Sequence, residues 1–290
     1  MTKLTGKVAI IAGGSRGAGR GIALALGDAG ATVYVAGRTS RGGPKPSDGA
    51  PGTVEDTAEE VTARGGHGIA IRADLSDADQ VAALFQRVEE EQGRLDVLAN
   101  SAWAPNCMAF WGTPFWDLNV DVWRETLGTV SVCWLSSVHA IRLMAKARHG
   151  LIVHVTDNIG WTSDLSPYRG QVLHDLGHEC LNRLVMGMSH ETKKLKIAVV
   201  GLNPGFMRTE RVLMYMTTEA RKKEMRFDLS ESPEYIGRAV VALAADAKVM
   251  EKSGHLLWAP DLAKEYEFTD IDGRLIPRFD PNAPTQAFPF

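Results

Sequence analysis

Cysteine is scarce in this 290-residue chain: three residues, Cys107, Cys133 and Cys180, widely spaced and odd in number. Neither a disulfide framework nor a zinc cluster is implied, and a reducing compartment fits. A surplus of one charge is missing as well. Lys and Arg total 32 against 35 Asp and Glu, a formal net charge of −3, so there is no basic field for nucleic acid or anionic lipid. Long hydrophobic runs are also lacking. Met1 to Lys7 has no signal-peptide core, the first apolar run, Val8–Ala12, is of strand length, and no segment approaches the roughly 20 apolar residues of a membrane span. A cytoplasmic protein with no nucleic-acid and no membrane partner is expected.

What is there is an ordinary globular mix, 44% hydrophobic and 23% charged, ample for one large core. Short apolar runs at Val8–Ala12, Thr32–Ala36, Gly68–Arg72, Leu95–Asn100, Leu151–Thr156, Ile197–Leu202 and His255–Trp258 read as buried strands. Between them lie helical patterns at Gly17–Ala29, Val54–Arg64, Asp77–Gln92, Val120–Ala147, Gln171–Lys194 and Pro233–Ala245. This alternation predicts an α/β fold: one doubly wound domain, a parallel sheet of about seven strands, helices on both faces. Thr39–Gly52, rich in Gly and Pro and carrying Arg41 and Lys45, reads as an exposed loop. The domain is placed at residues 1–272 and an extended tail at 273–290. That tail reads either as a loosely ordered terminus or as a segment docking on a neighbouring subunit through its apolar end.

The strongest motif comes first. Gly13-Gly14-Ser15-Arg16-Gly17-Ala18-Gly19 follows a buried strand and opens a helix. Glycines let the backbone turn sharply and approach a pyrophosphate, while free N–H groups and the helix dipole hold its charge.

The Gly-x-x-x-Gly-x-Gly spacing resembles the short-chain dehydrogenase/reductase family, which has a Rossmann fold. Further resemblances follow in order. Asp74-Leu75 stands where the family contacts adenine; Asn100-Ser101-Ala102 stands where it has Asn-Asn-Ala-Gly, with Trp103 replacing the last glycine. Pro204-Gly205-Phe206-Met207-Arg208-Thr209 resembles the family's Pro-Gly-x-x-x-Thr, whose threonine reaches the nicotinamide amide. The ending, Ser253 to Arg274, is similar to the dehydrogenase/reductase member 1 subgroup. The resemblance implies a strand order 3-2-1-4-5-6-7, a substrate-covering segment at about 206–230, and a homodimer or homotetramer built on the two long helices.

Charge selects the cofactor. After the second strand an NAD site needs an acid for the ribose hydroxyls. Gly37-Arg38-Thr39 stands there, with Arg16 inside the glycine loop. Two guanidiniums suit a 2′-phosphate, so NADP(H) is expected.

The catalytic positions depart from the family's Asn-Ser-Tyr-Lys arrangement. The tyrosine of relatives lies 30 residues before the proline of Pro-Gly, which lands on His174, and the lysine four residues later becomes His178. Asp157 stands in place of the serine, and the asparagine falls near Thr129. Tyr168 is an alternative proton donor, either in the tyrosine's place through an insertion or folded over the pocket from the preceding loop. Histidine is a competent acid or base near neutral pH, and Asp157 within reach would fix its tautomer. The His174/His178 pair has the i, i+4 spacing of a metal site, but Asp157 alone stands as a third ligand, so no metal is expected.

Seven tryptophans are many for this length. Trp103, Trp111, Trp116 and Trp161 all follow C-terminal strand ends, where open α/β sheets bind ligands. They suggest an aromatic-walled cavity for a bulky apolar or polycyclic small molecule. Three functions stay open: an NADP(H)-dependent oxidoreductase acting on a carbonyl, imine or enone; a non-redox cyclase, isomerase or dehydratase retaining NADP; and a catalytically dead cofactor-binding protein.

Overall fold

The structure, a computed structural model, describes residues 4–43, 46, 49–103, 113–157 and 171–278. Its centre is a sheet of seven parallel strands in the order β3-β2-β1-β4-β5-β6-β7. The strands are β1 (Val8–Ala12), β2 (Thr32–Gly37), β3 (His67–Arg72), β4 (Val97–Asn100), β5 (Gly150–Val155), β6 (Ile197–Asn203) and β7 (Leu256–Trp258). All five residues of β1 are buried. A strand covered on both faces has no wet side, which is why its sequence runs apolar without alternation.

On one face Ile11, Val33, Val153 and Val200 pack under α1 (Gly17–Asp28), α2 (Val54–Ala63) and α8 (Pro233–Ala245). On the other, Ile10, Tyr34, Leu98 and Ile152 meet α3 (Ala78–Gln92), α4 (Val120–Ala147) and α5 (Val172–Thr192). Start and stop signals are local. Asp77 accepts from the Asp79 and Gln80 amides at the head of α3, and Gly93, at φ +63°, ends it. Two short helices, α6 (Glu210–Tyr215) and α7 (Glu219–Glu224), follow β6, and α9 (Ala259–Glu265) follows β7.

One expectation is corrected by α4. Its 28 residues, with a mean hydropathy of 1.3 over an 18-residue window, are by length and composition enough to cross a membrane. Thr129, Ser136 and Ser137 interrupt the apolar run and hide that property in the sequence. In the fold 44% of the window is buried, with Val132, Ala140, Leu143 and Met144 on the sheet.

Packing also continues past Asp272. Ile276 is 3% exposed, Arg274 donates to the Ser230 carbonyl at 3.1 Å, and Arg278 pairs with Asp261.

Candidate active site

The order of strands reverses between β1 and β4, and a crevice opens there at the strands' C-terminal ends. The glycine loop closes one end of it. Gly13 sits at φ +89°, and a Cβ there would lie 2.6 Å from the Ala102 amide nitrogen; one on Gly19 would lie 2.1 Å from the Gly13 carbonyl oxygen. Only glycine permits this approach, so the loop lies flat across the ends of β1 and β4. Gly13 and Gly14 amides donate to the Ala36 carbonyl at 2.9 and 3.1 Å. This cradle, which any side chain would fill, fits the pyrophosphate of a dinucleotide.

A cleft of about 790 Å³ starts at this loop. Ser15, Arg16, Gly17 and Ala18 line it together with Arg38, Thr39, Asp74 and Leu75. Arg16 spends N–H groups on the Pro51 and Gly52 carbonyls, at 3.2 and 3.0 Å, and so pins the loop before α2. Arg41 turns away to Asp56 and Glu59 on α2. Burial works against ionisation of Asp74, but the Ser76 hydroxyl and amide, with the Arg38 charge, hold its carboxyl below the ordinary value.

The cleft continues past Ala102, Pro204, Gly205 and Thr209 to Trp103, Asp157, His174 and His178. The structure therefore brings the three sequence-selected polar groups together. His174 Nε2 lies 3.6 Å from Asp157 Oδ2. The His174 and His178 rings meet edge to face, centroids 4.5 Å apart, as one helical turn requires.

His178 is held by a tight set of contacts. Its Nδ1 accepts the Asp157 backbone N–H at 3.0 Å. Thr156 Oγ1 lies 3.3 Å from that nitrogen and donates to Asn182 Oδ1 at 2.8 Å. The Trp103 indole stacks on the ring at 3.9 Å and 11°. Because a backbone donor cannot turn away, Nδ1 is committed as an acceptor and a neutral ring carries its proton on Nε2.

Several expected residues sit elsewhere. Asn100 is buried, its amide nitrogen 3.3 Å from Ser137 Oγ and 3.4 Å from His154 Nδ1. It is not among the cleft-lining residues. Burial pushes the His154 imidazole down to about 4, so the ring is neutral. Gly19 acts through the loop's shape rather than on the wall. Trp116 is corrected: it stands 72% exposed on a short turn, edge-on to Phe115, and does not line the cleft. Val120 and Trp123, which follow it on α4, are exposed as well. Tyr168, Trp111 and Trp161 lie outside the described residues. Among the described residues no group of three His, Cys, Asp or Glu is placed to hold a metal ion.

Thr156 and Asn182 escaped the sequence reading. Asn182 lies four residues after His178, hence on the same helix face, and that spacing was the available signal. The segment after β6 adds Met207, Val212, Tyr215, Met216 and Met225 to the cleft lining, together with the charged Glu210 and Arg211.

A fold with a dinucleotide cradle at its switch point and a polar trio on the facing strand and helix defines a class of nucleotide-dependent enzymes. A model of the short chain dehydrogenase family matches residues 7–220, and the chain belongs to the short-chain dehydrogenase/reductase family, whose members are NAD(P)-using oxidoreductases. It is 36% identical over 287 residues to mouse dehydrogenase/reductase SDR family member 1, covering 94% of this chain and 86% of that protein. To the human protein of the same name it is 34% identical over 288 residues, covering 93% and 85%. Among solved structures, a short chain dehydrogenase from Mycobacterium thermoresistibile superposes with a TM-score of 0.80 at 23% identity, over 99% and 98% of the two chains. A putative NAD(P)-dependent gluconate 5-dehydrogenase from Beutenbergia cavernae, solved with bound NADP, gives 0.71 at 24%, over 89% and 96%.

Proposed function

We propose that the chain is an NADP(H)-dependent oxidoreductase for a bulky apolar or polycyclic carbonyl, imine or enone, with His174 and Asp157 in the place of the family's tyrosine chemistry. The observation that carries this reading is one continuous cleft. It joins the glycine loop and Arg38 at one end to the Asp157–His174 pair at the other. When bound, the dinucleotide supplies or accepts the hydride. Arg38 on the cleft wall, with no acid following β2 to receive ribose hydroxyls, supports a 2′-phosphate. His174 holds or takes a proton at Nε2, the nitrogen that faces the Asp157 carboxylate. Trp103 and the methionine-rich wall exclude water and suit an apolar substrate.

A second reading, non-redox acid/base chemistry with the dinucleotide retained, is favoured by the commitment of His178 Nδ1 to a backbone donor. Titration with NADPH and NADH, followed by a 340 nm assay on ketones, imines and enones, separates the two. NADPH is expected to bind at least tenfold tighter than NADH, with Arg38→Ala erasing that preference, and one substrate class is expected to oxidise it. Tight binding without oxidation across the panel moves the chain to the second reading, and no binding of either nucleotide rejects both.

We further propose a homo-oligomer formed through α4 and α5. Val120, Trp123 and Trp134 are 65%, 46% and 52% exposed on α4, and Leu176 is 37% exposed on α5. Positions 123 and 134 are three turns apart and fall on one stripe.

A further inference from the structure

The anion cradle at the head of α1 is in contact with an anion of the chain itself. The Gly17 amide, the first of the helix, donates to Glu210 Oε2 at 2.7 Å, across 193 residues of sequence. Nothing nearer supplies that acceptor: Arg16, at the N-cap, makes no side-chain cap, and the first turn of α1 has no acidic residue. Glu210 is the first residue of α6, the helix that Thr209 caps through the Val212 amide at 3.3 Å. The same short stretch holds Val212, Tyr215 and Met216 on the cleft wall. Thr209 also abuts the loop, its methyl 3.7 Å from where a Gly17 side chain would start. The start of α6 is thus docked on the phosphate loop by a carboxylate.

Resting on the dinucleotide reading of the cleft, we propose that Glu210 is a competing anion that a nucleotide pyrophosphate displaces, so that cofactor binding and release of α6 over the substrate cleft are one event. One amide N–H cannot serve a carboxylate and a phosphate together, and two anions at one helix N-terminus repel. The nucleotide must expel Glu210, and α6, which begins with that residue, must shift with it. The part of the cleft lining made of Val212, Tyr215 and Met216 is then remodelled by phosphates bound at the loop on which α6 starts.

The test measures dissociation constants of NADPH, ADP and adenosine by tryptophan fluorescence on the wild type, Glu210→Ala and Glu210→Gln. Glu210→Ala should tighten NADPH and ADP by about tenfold and leave adenosine, which has no phosphate, unchanged. Glu210→Gln keeps the shape and an acceptor but loses the charge, and should tighten both by a smaller factor. It also guards against misfolding of the alanine variant. In hydrogen exchange, NADPH should raise exchange at residues 211–216 of the wild type. ADP affinity equal or weaker in both variants, or no change at 211–216, overturns the proposal while leaving the dinucleotide reading intact. A wild type that binds neither NADPH nor ADP removes that reading and this one with it.

Discussion

Asp157 and His174, 17 residues apart in sequence, meet at one point of the cleft. The Asp157 carboxylate lies 3.6 Å from His174 Nε2. If the pair exchanges a proton with substrate, replacing either member removes the same function. We therefore expect His174→Ala and Asp157→Asn each to lower kcat by 10²-fold or more, and the double variant to lose little beyond either single one. Multiplicative losses would show two independent roles, and unchanged rates would show that neither residue takes part. His178 differs: its ring accepts the Asp157 backbone N–H and stacks on Trp103.

At the scale of elements, the loop from β6 to α6 carries the site and rests on a buried carboxyl. Glu231 is fully buried. Its amide donates to the Phe206 carbonyl and its carbonyl accepts from the Arg208 amide, at 2.8 Å each. A Cβ on Gly205 would come within 2.9 Å of its Oε2. Burial pushes this carboxyl from 4.5 up to about 8, with the Gly205 backbone and Arg208 opposing and Asp270 adding. The folded-state value is raised, so the stabilisation is whole below pH 4.5 and is lost as pH climbs to about 8. His154 runs the other way. Its value is depressed from 6.5 to about 4, so stability falls as pH drops through that window. Together they give a plateau between roughly pH 4.5 and 6.5, with an alkaline limb of a few kcal/mol due to Glu231. Urea unfolding of Glu231→Gln should lack the alkaline limb and keep the acid one. An identical pH profile in the variant would mean that Glu231 ionises normally in the folded protein.

At the scale of the whole molecule, the exposed stripe on α4 gives the oligomer proposal its measurable form. Trp123→Glu combined with Trp134→Glu should convert a dimer or tetramer to monomer in sedimentation velocity, since two charges cannot be buried unpaired in an apolar contact. A wild type that sediments as a monomer ends that proposal. Legibility in the sequence followed the range of the forces. Strand and helix positions were readable because burial imposes a period on the chain itself. The glycine loop was readable because a close backbone approach admits one residue type, and His174 and His178 because one helical turn keeps i and i+4 together. What needed the tertiary structure were contacts between distant segments. Trp116 shares its composition signal with Trp103, yet only packing decides that one faces solvent and the other stacks on His178. Glu210 is an unremarked acid after a threonine until β6 delivers it to the head of α1. Glu231 is an ordinary glutamate until the Gly205 loop and the Asp270 segment close over it. The sequence by itself determined the architecture and the chemical groups available. The tertiary structure decided which of them share a site, because partners brought together across up to 193 residues leave no period for a local pattern to record.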